Sequence, residues 1–199
     1  MKTTSPVRSM TTAALLAALM AASSILSIPV GAVPITLQLF VVVLAALLLP
    51  PVWAGASIGI YLLLGAVGVP VFAGATGGLG ILLGPTGGYL FGFLFGAVLG
   101  SGARRTLEDW DRQGLMADAV GAVTTIAVVY ALGFAQLLFI SWLGTEGGLS
   151  PAQAFLLGVV PFVGIDALKA AGAVLVAQAL RRSGVVPRDV RTPAATEAS

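Results

Sequence analysis

Residues 147–180, GGLSPAQAFLLGVVPFVGIDALKAAGAVLVAQAL, carry only two charged side chains, Asp166 and Lys169. A run of this length and apolarity is ample for a membrane-crossing helix, which takes about 20 residues. A charge near the bilayer centre costs a few kcal/mol or more, so such residues face the protein interior and mark binding sites or ion paths. At a spacing of i and i+3, Asp166 and Lys169 share one helix face and partly neutralise each other. A structural ion pair that locks the helix is the plain alternative to a site.

The rest of the chain is of the same kind, with 58% hydrophobic and 9% charged residues and a mean hydropathy of +1.03. Such a composition belongs to an integral membrane protein. The 199 residues supply roughly six helical crossings with their turns. The expected fold is an all-α, compact bundle of six transmembrane helices, with residues 1–182 as a single domain and 183–199 as a disordered cytoplasmic tail. Cysteine and histidine are absent, which removes disulfides, thiolate nucleophiles, imidazole bases and the usual zinc ligands. No metal site and no cofactor are expected. The net charge of +2 comes from loop arginines rather than a basic face, so nucleic acid is not an expected partner.

Lys2 and Arg8 ahead of the apolar stretch from Thr11 to Ile28 imitate a secretory signal peptide, but the run exceeds a typical signal core and further spans follow. It is read as a retained first helix, at 11–28. The others are expected at 36–49, 52–67, 87–103, 116–142 and 152–181. Pro29, Gly31 and Pro34 end the first; Pro50-Pro51 turns the chain after the second; Gly144, Gly147, Gly148 and Pro151 separate the last two. The second and third look short for a full crossing. With six spans, nine of the ten lysines and arginines fall on one side, which the charge bias of cytoplasmic loops makes the inside. Both termini are therefore expected in the cytoplasm of a multi-pass cell-membrane protein, with the segments near 29–35, 68–86 and 143–151 outside.

The segment from Gly68 to Tyr89, GVPVFAGATGGLGILLGPTGGY, is rich in glycine and without charge. Glycine lets backbone approach a ligand or a helix closely, and non-helical backbone at membrane depth must be buried or line a cavity. A lid over a site fits, and a flexible connector is the alternative; a phosphate-cradling loop would need a Gly-Lys-Ser or Gly-Lys-Thr ending that is absent. In the first helix, Ala13, Ala17 and Ala21 form one small-residue row and Ala14, Ala18 and Ala22 its neighbour, suited either to internal packing or to docking on another membrane subunit. Arg104, Arg105, Glu108, Asp109, Asp111 and Arg112 read as a solvated cytoplasmic turn without chemistry. Gln38, Tyr61, Tyr89 and Gln136 are polar groups in apolar surroundings that serve helix contacts, interfacial anchoring or a ligand equally well.

VPITLQLFVVVLAALLLPP at 33–51, YLLLGAVGVPVFAGATGG at 61–78, GPTGGYLFGF at 84–93 and GIDALKA at 164–170 together resemble the BioY family, the biotin-specific substrate-binding components of energy-coupling-factor vitamin transporters. The resemblance spans about residues 10–182. It implies a six-helix membrane protein that captures biotin from outside and docks, through small residues of the first helix, on a transmembrane coupling subunit driven by two ATPase subunits. It assigns Asp166 and Lys169 to the family's acidic and basic positions. It makes the glycine-rich segment, with Gly74, Gly77, Gly78, Gly84, Pro85, Thr86, Gly87 and Gly88, the substrate-covering loop. Biotin's ureido ring has two N–H donors and a carbonyl; a carboxylate accepts the former and an ammonium donates to the latter or to the valerate. Phe72, Tyr61 and Tyr89 are candidate apolar walls and Gln38 a further hydrogen-bonding group. A solitary carrier without a coupling module is the alternative. An intramembrane enzyme is the remote third reading, since no nucleophile and base arrangement is visible.

Overall fold

The computed structural model describes residues 6–29, 33–108, 114–144 and 148–184. Its elements are α1 (Pro6–Ile25), β1 (Ser27–Ile28), β2 (Ile35–Thr36), α2 (Gln38–Leu48), α3 (Pro51–Ala66), α4 (Leu79–Leu83), α5 (Gly87–Glu108), α6 (Leu115–Gly144), α7 (Pro151–Gly158) and α8 (Val160–Arg182). All six expected helices are present, and the structure is that of an all-α membrane protein. Large apolar side chains such as Leu63, Val123, Phe139, Leu168 and Leu175 stand on the outer surface at more than 60% exposure, where lipid rather than water solvates them. The candidate spans by length and hydropathy are Val7–Ile25, Leu115–Gly144 and Pro151–Arg182, with α2 and α3 as shorter apolar helices.

α2 is the axis of the bundle. Val41, Val42, Val43, Leu44 and Ala45 are all at most 4% exposed; a helix apolar on every side suits either lipid or a protein interior, and here protein surrounds it. α1, α5, α6 and α8 supply that surround. Because protein rather than lipid encloses it, its 11 residues need not span the bilayer.

α5 and α6 form the closest pair, and the cause is a row of glycines at four-residue spacing. A β-carbon built on Gly88 would collide with the Leu132 carbonyl oxygen, on Gly92 it would lie 2.7 Å from the Val129 Cα, and on Gly96 2.8 Å from the Thr125 carbonyl oxygen. No larger residue allows this backbone approach. Gly88 and Gly87, expected in the covering loop, thus belong to the first turn of α5.

Three expectations are corrected. The last helix is broken into α7 and α8 at Val159. Pro161 has no N–H, and its ring conflicts with the carbonyl four residues earlier; the Phe162 N–H turns to the Val159 oxygen at 3.0 Å instead. The freed Gly158 carbonyl accepts a hydrogen bond from the Tyr89 hydroxyl at 2.8 Å. The first helix stops at Ile25, and Ser27 and Ile28 pair antiparallel with Thr36 and Ile35. Finally, Arg104 is not solvated: α5 continues through it, and at 6% exposure its Nε donates to Asp118 at 2.8 Å, as Arg181 does to the same carboxylate. Asp109, Asp111 and Arg112 lie outside the described residues, as do Gly31, Gly147 and the tail from residue 185 onward.

Candidate substrate site

α8 enters the bundle at Phe162 and brings Asp166 to a cavity of about 280 Å³ lined by β2, α2, α5, α6, α8 and the segment between α3 and α5. Asp166 is 6% exposed. Its Oδ1 accepts from Lys169 Nζ at 2.8 Å, and its Oδ2 accepts from the Tyr130 hydroxyl at 2.7 Å. All three side chains line the cavity. The pair that stands out in the sequence is therefore part of a cavity wall, with a partner from α6 that sequence reading does not single out. The available signal is that Tyr130 is one of only three tyrosines in the chain, set in an apolar helix.

A second polar group lies at the α2 N-terminus. The Thr36 hydroxyl donates to Gln38 Oε1 at 3.0 Å and accepts from the Gln38 backbone N–H at 3.3 Å. Gln38 Nε2 in turn donates to the Tyr61 hydroxyl. Thr36 and Gln38 line the cavity, whereas Tyr61 does not. Fully buried, Tyr61 sits behind the wall, orients Gln38 and meets the Phe72 ring edge-on with centroids 5.5 Å apart. Tyr61 is thus a supporting residue rather than the wall expected of it, while Phe72 and Tyr89 do face the cavity. Tyr89 presents its ring, its hydroxyl being engaged by Gly158.

Of the glycine-rich segment, Thr86 reaches the cavity, as do Phe72, Ala73, Thr76 and Ile81. Gly74, Gly77, Gly78, Gly84 and Pro85 shape the backbone without lining it. Phe72 and Thr76 bridge to each other and close a tight turn, and the Gly78 N–H binds the Gly65 carbonyl at 2.6 Å. Gly65 itself makes room for Phe72: a β-carbon there would run into the ring. On the far side, Gln136 Nε2 donates to the carbonyls of Leu82 at 2.9 Å and Gly84 at 2.8 Å. The segment is thus an ordered wall of the cavity, stapled to α3 and α6.

On α1 the two alanine rows separate. Ala13 and Ala17 are 2% and 6% exposed and Ala21 is half-buried, whereas Ala14, Ala18 and Ala22 are exposed. Among the described residues no group of three His, Cys, Asp or Glu side chains could hold a metal ion.

A lipid-facing helical bundle around a mostly apolar cavity with a few convergent polar groups has the form of a membrane protein built around a small-molecule site. The BioY family model matches residues 1–185. A probable biotin transporter BioY from Pyrococcus horikoshii is 39% identical over 84% of this chain and 93% of its own length. The biotin transporter BioY from Thermotoga maritima is 37% identical over 88% and 97%. A solved structure, the S-component for biotin from an ECF-type ABC transporter, superposes with a TM-score of 0.80 at 27% identity, covering 92% of this chain and 95% of that one. The chain belongs to the BioY family, and so to a family of transport proteins rather than enzymes.

Proposed function

We propose that this chain captures biotin in the cavity at Asp166, Lys169 and Tyr130 and delivers it across the cell membrane as the substrate-binding component of an energy-coupling-factor transporter. The observation that carries the reading is the meeting of a buried acidic side chain and a basic one on the wall of a mostly apolar cavity, within a family whose named relatives transport biotin. The thiophane ring and alkyl chain match the apolar walls, and the ureido ring matches the polar ones. The test is calorimetric titration of the purified protein with biotin, with riboflavin and thiamine as competitors. Biotin is expected to bind and to resist displacement by either; preference for riboflavin or thiamine would overturn the substrate assignment.

Orientation is part of the proposal. The α1 and α8 ends carrying Arg8 and Arg182 lie together, since Arg8 Nη2 donates to the Gly184 carbonyl at 3.3 Å, and Arg104 and Arg181 share Asp118. This basic end is the cytoplasmic one by the charge bias of cytoplasmic loops. A cysteine at position 109 of this cysteine-free chain is expected to resist impermeant thiol reagents in intact cells, and one at position 146 to react. Labelling of 109 but not 146 inverts the topology.

The coupling subunit, driven by two ATPase subunits, is proposed to meet the exposed α1 row of Ala14, Ala18 and Ala22, small enough for a close helix approach. Ala14→Trp or Ala18→Trp is expected to abolish uptake while biotin binding by the purified protein changes less than about twofold, near the ±0.5 kcal/mol of an ordinary surface substitution. Ala13→Trp or Ala17→Trp drives a ring into the core and is expected to lower thermal stability. Uptake that survives Ala14→Trp and Ala18→Trp, or that persists in a host without coupling genes, supports the solitary carrier instead.

A further inference from the structure

Tyr130 is one of the polar residues that line the cavity, and its hydroxyl is 2.7 Å from Asp166 Oδ2. The direction of that hydrogen bond has a chemical consequence. An ionised carboxylate only accepts, so the hydrogen belongs to the phenol, and the phenolic oxygen keeps its lone pairs. Asp166 keeps accepting capacity beyond the two bonds it makes, and Lys169 has two N–H groups beyond the one given to Asp166. The cavity wall therefore offers two neighbouring acceptors from different helices and a donor beside them.

We propose that Tyr130 is a substrate-contacting residue, the acceptor for one ureido N–H, while Asp166 accepts the other and Lys169 donates to the ureido carbonyl. The inference rests on the biotin reading and deepens it. It assigns recognition of the two N–H groups to two different side chains, one on α6 and one on α8. A tyrosine that merely held Asp166 in place would serve as well from behind the wall, as Tyr61 does for Gln38, but Tyr130 lines the cavity itself. Its surroundings on α6, from Ile126 to Leu132, are otherwise apolar, so no neighbouring side chain of that stretch can take the role.

The experiment crosses protein and ligand changes in the full-length chain. Biotin and its two ureido N-methyl isomers are titrated against native protein and Tyr130→Phe, with thermal unfolding of the ligand-free proteins recorded alongside. Tyr130→Phe is expected to weaken biotin binding about two- to tenfold, the range for one hydrogen bond. In that variant the penalty for methylating one ureido nitrogen should largely vanish, while the penalty for methylating the other persists. Unchanged biotin affinity, or strict additivity for both isomers, overturns the proposal. If Tyr130→Phe does not fold, 3,5-difluorotyrosine placed at position 130 decides. Fluorination makes the phenol a better donor and a poorer acceptor. A positioning role then predicts tighter or equal biotin binding, whereas direct contact predicts binding weakened several-fold. Native protein that binds no biotin at all removes the biotin reading itself, and this inference with it.

Discussion

Asp118→Ala is expected to destabilise the protein by about 3–5 kcal/mol, the cost of breaking a buried ion pair and leaving charge uncompensated. Asp118 is fully buried and serves two guanidinium groups, Arg104 at 2.8 Å and Arg181. Arg181 also donates to the Leu47 carbonyl at 3.1 Å, one of the carbonyls left unpaired where α2 ends. One carboxylate therefore ties α5, α6 and α8 together, and through Arg181 the axial helix α2. Without it, two cations face each other with Glu108 as the remaining anion among the described partners. Glu108 is the internal control: its contact with Arg104 is a 3.0 Å, i to i+4 pair at 21% side-chain exposure, and such partly exposed pairs contribute about 0–1 kcal/mol. Thermal unfolding in detergent should rank Asp118→Ala well below native and Glu108→Gln close to it. The pair Arg104→Met with Asp118→Leu should recover part of the loss, since two apolar groups leave one fewer stranded charge. An Asp118→Ala variant that unfolds within a degree or two of native would show that the cluster is not holding these helices.

How much of this is legible in the sequence depends on whether the deciding partner is near in the chain. Asp166 and Lys169 stand out because their isolation in an apolar run is a local property, and the helices are legible because lipid demands continuous apolar length. Arg104 reads as solvated because its neighbours Arg105 and Glu108 make a charged cluster that resembles an exposed turn; its burial depends on Asp118 and on Arg181, contributed by α6 and α8. Spacing alone does not tell the Ala13 row from the Ala14 row, since both lie one turn apart on α1, and only packing decides which is inside. The glycine row from Gly88 to Gly96 is visible as spacing, but its first member also belongs to a glycine-rich segment and reads with it as a loop. The break at Val159 has a local signal in Pro161, outweighed by the apolarity around it. Tyr130 gives the weakest signal, because a phenol in an apolar helix has the same sequence signature whether it faces lipid, a neighbouring helix or a ligand.

The second large effect is on binding. Asp166→Asn and Lys169→Met are each expected to weaken biotin binding more than tenfold, since losing one partner of a buried, hydrogen-bonded charge pair costs about 2–5 kcal/mol. The geometry sharpens what each change removes. An asparagine at position 166 still offers one carbonyl oxygen but turns an NH2 group toward either the Tyr130 hydroxyl or the Lys169 ammonium, which in the native chain hold Oδ2 and Oδ1. A methionine at position 169 fills the space of the lysine stem but strips Asp166 of its cation and leaves the carboxylate with the Tyr130 hydroxyl alone. Either variant could lose binding through loss of fold, so both are compared with the double variant that combines Asp166→Asn with Lys169→Met. If the pair is structural, removing both charges leaves neither stranded, and thermal stability and biotin affinity recover together. If the pair is the site, stability recovers and binding stays lost, because the groups that meet the ureido ring are gone whatever the helix does. Near-native biotin affinity in the double variant would therefore dismiss Asp166 and Lys169 as ligand contacts, and would leave the cavity to Tyr130 and the Thr36–Gln38 wall.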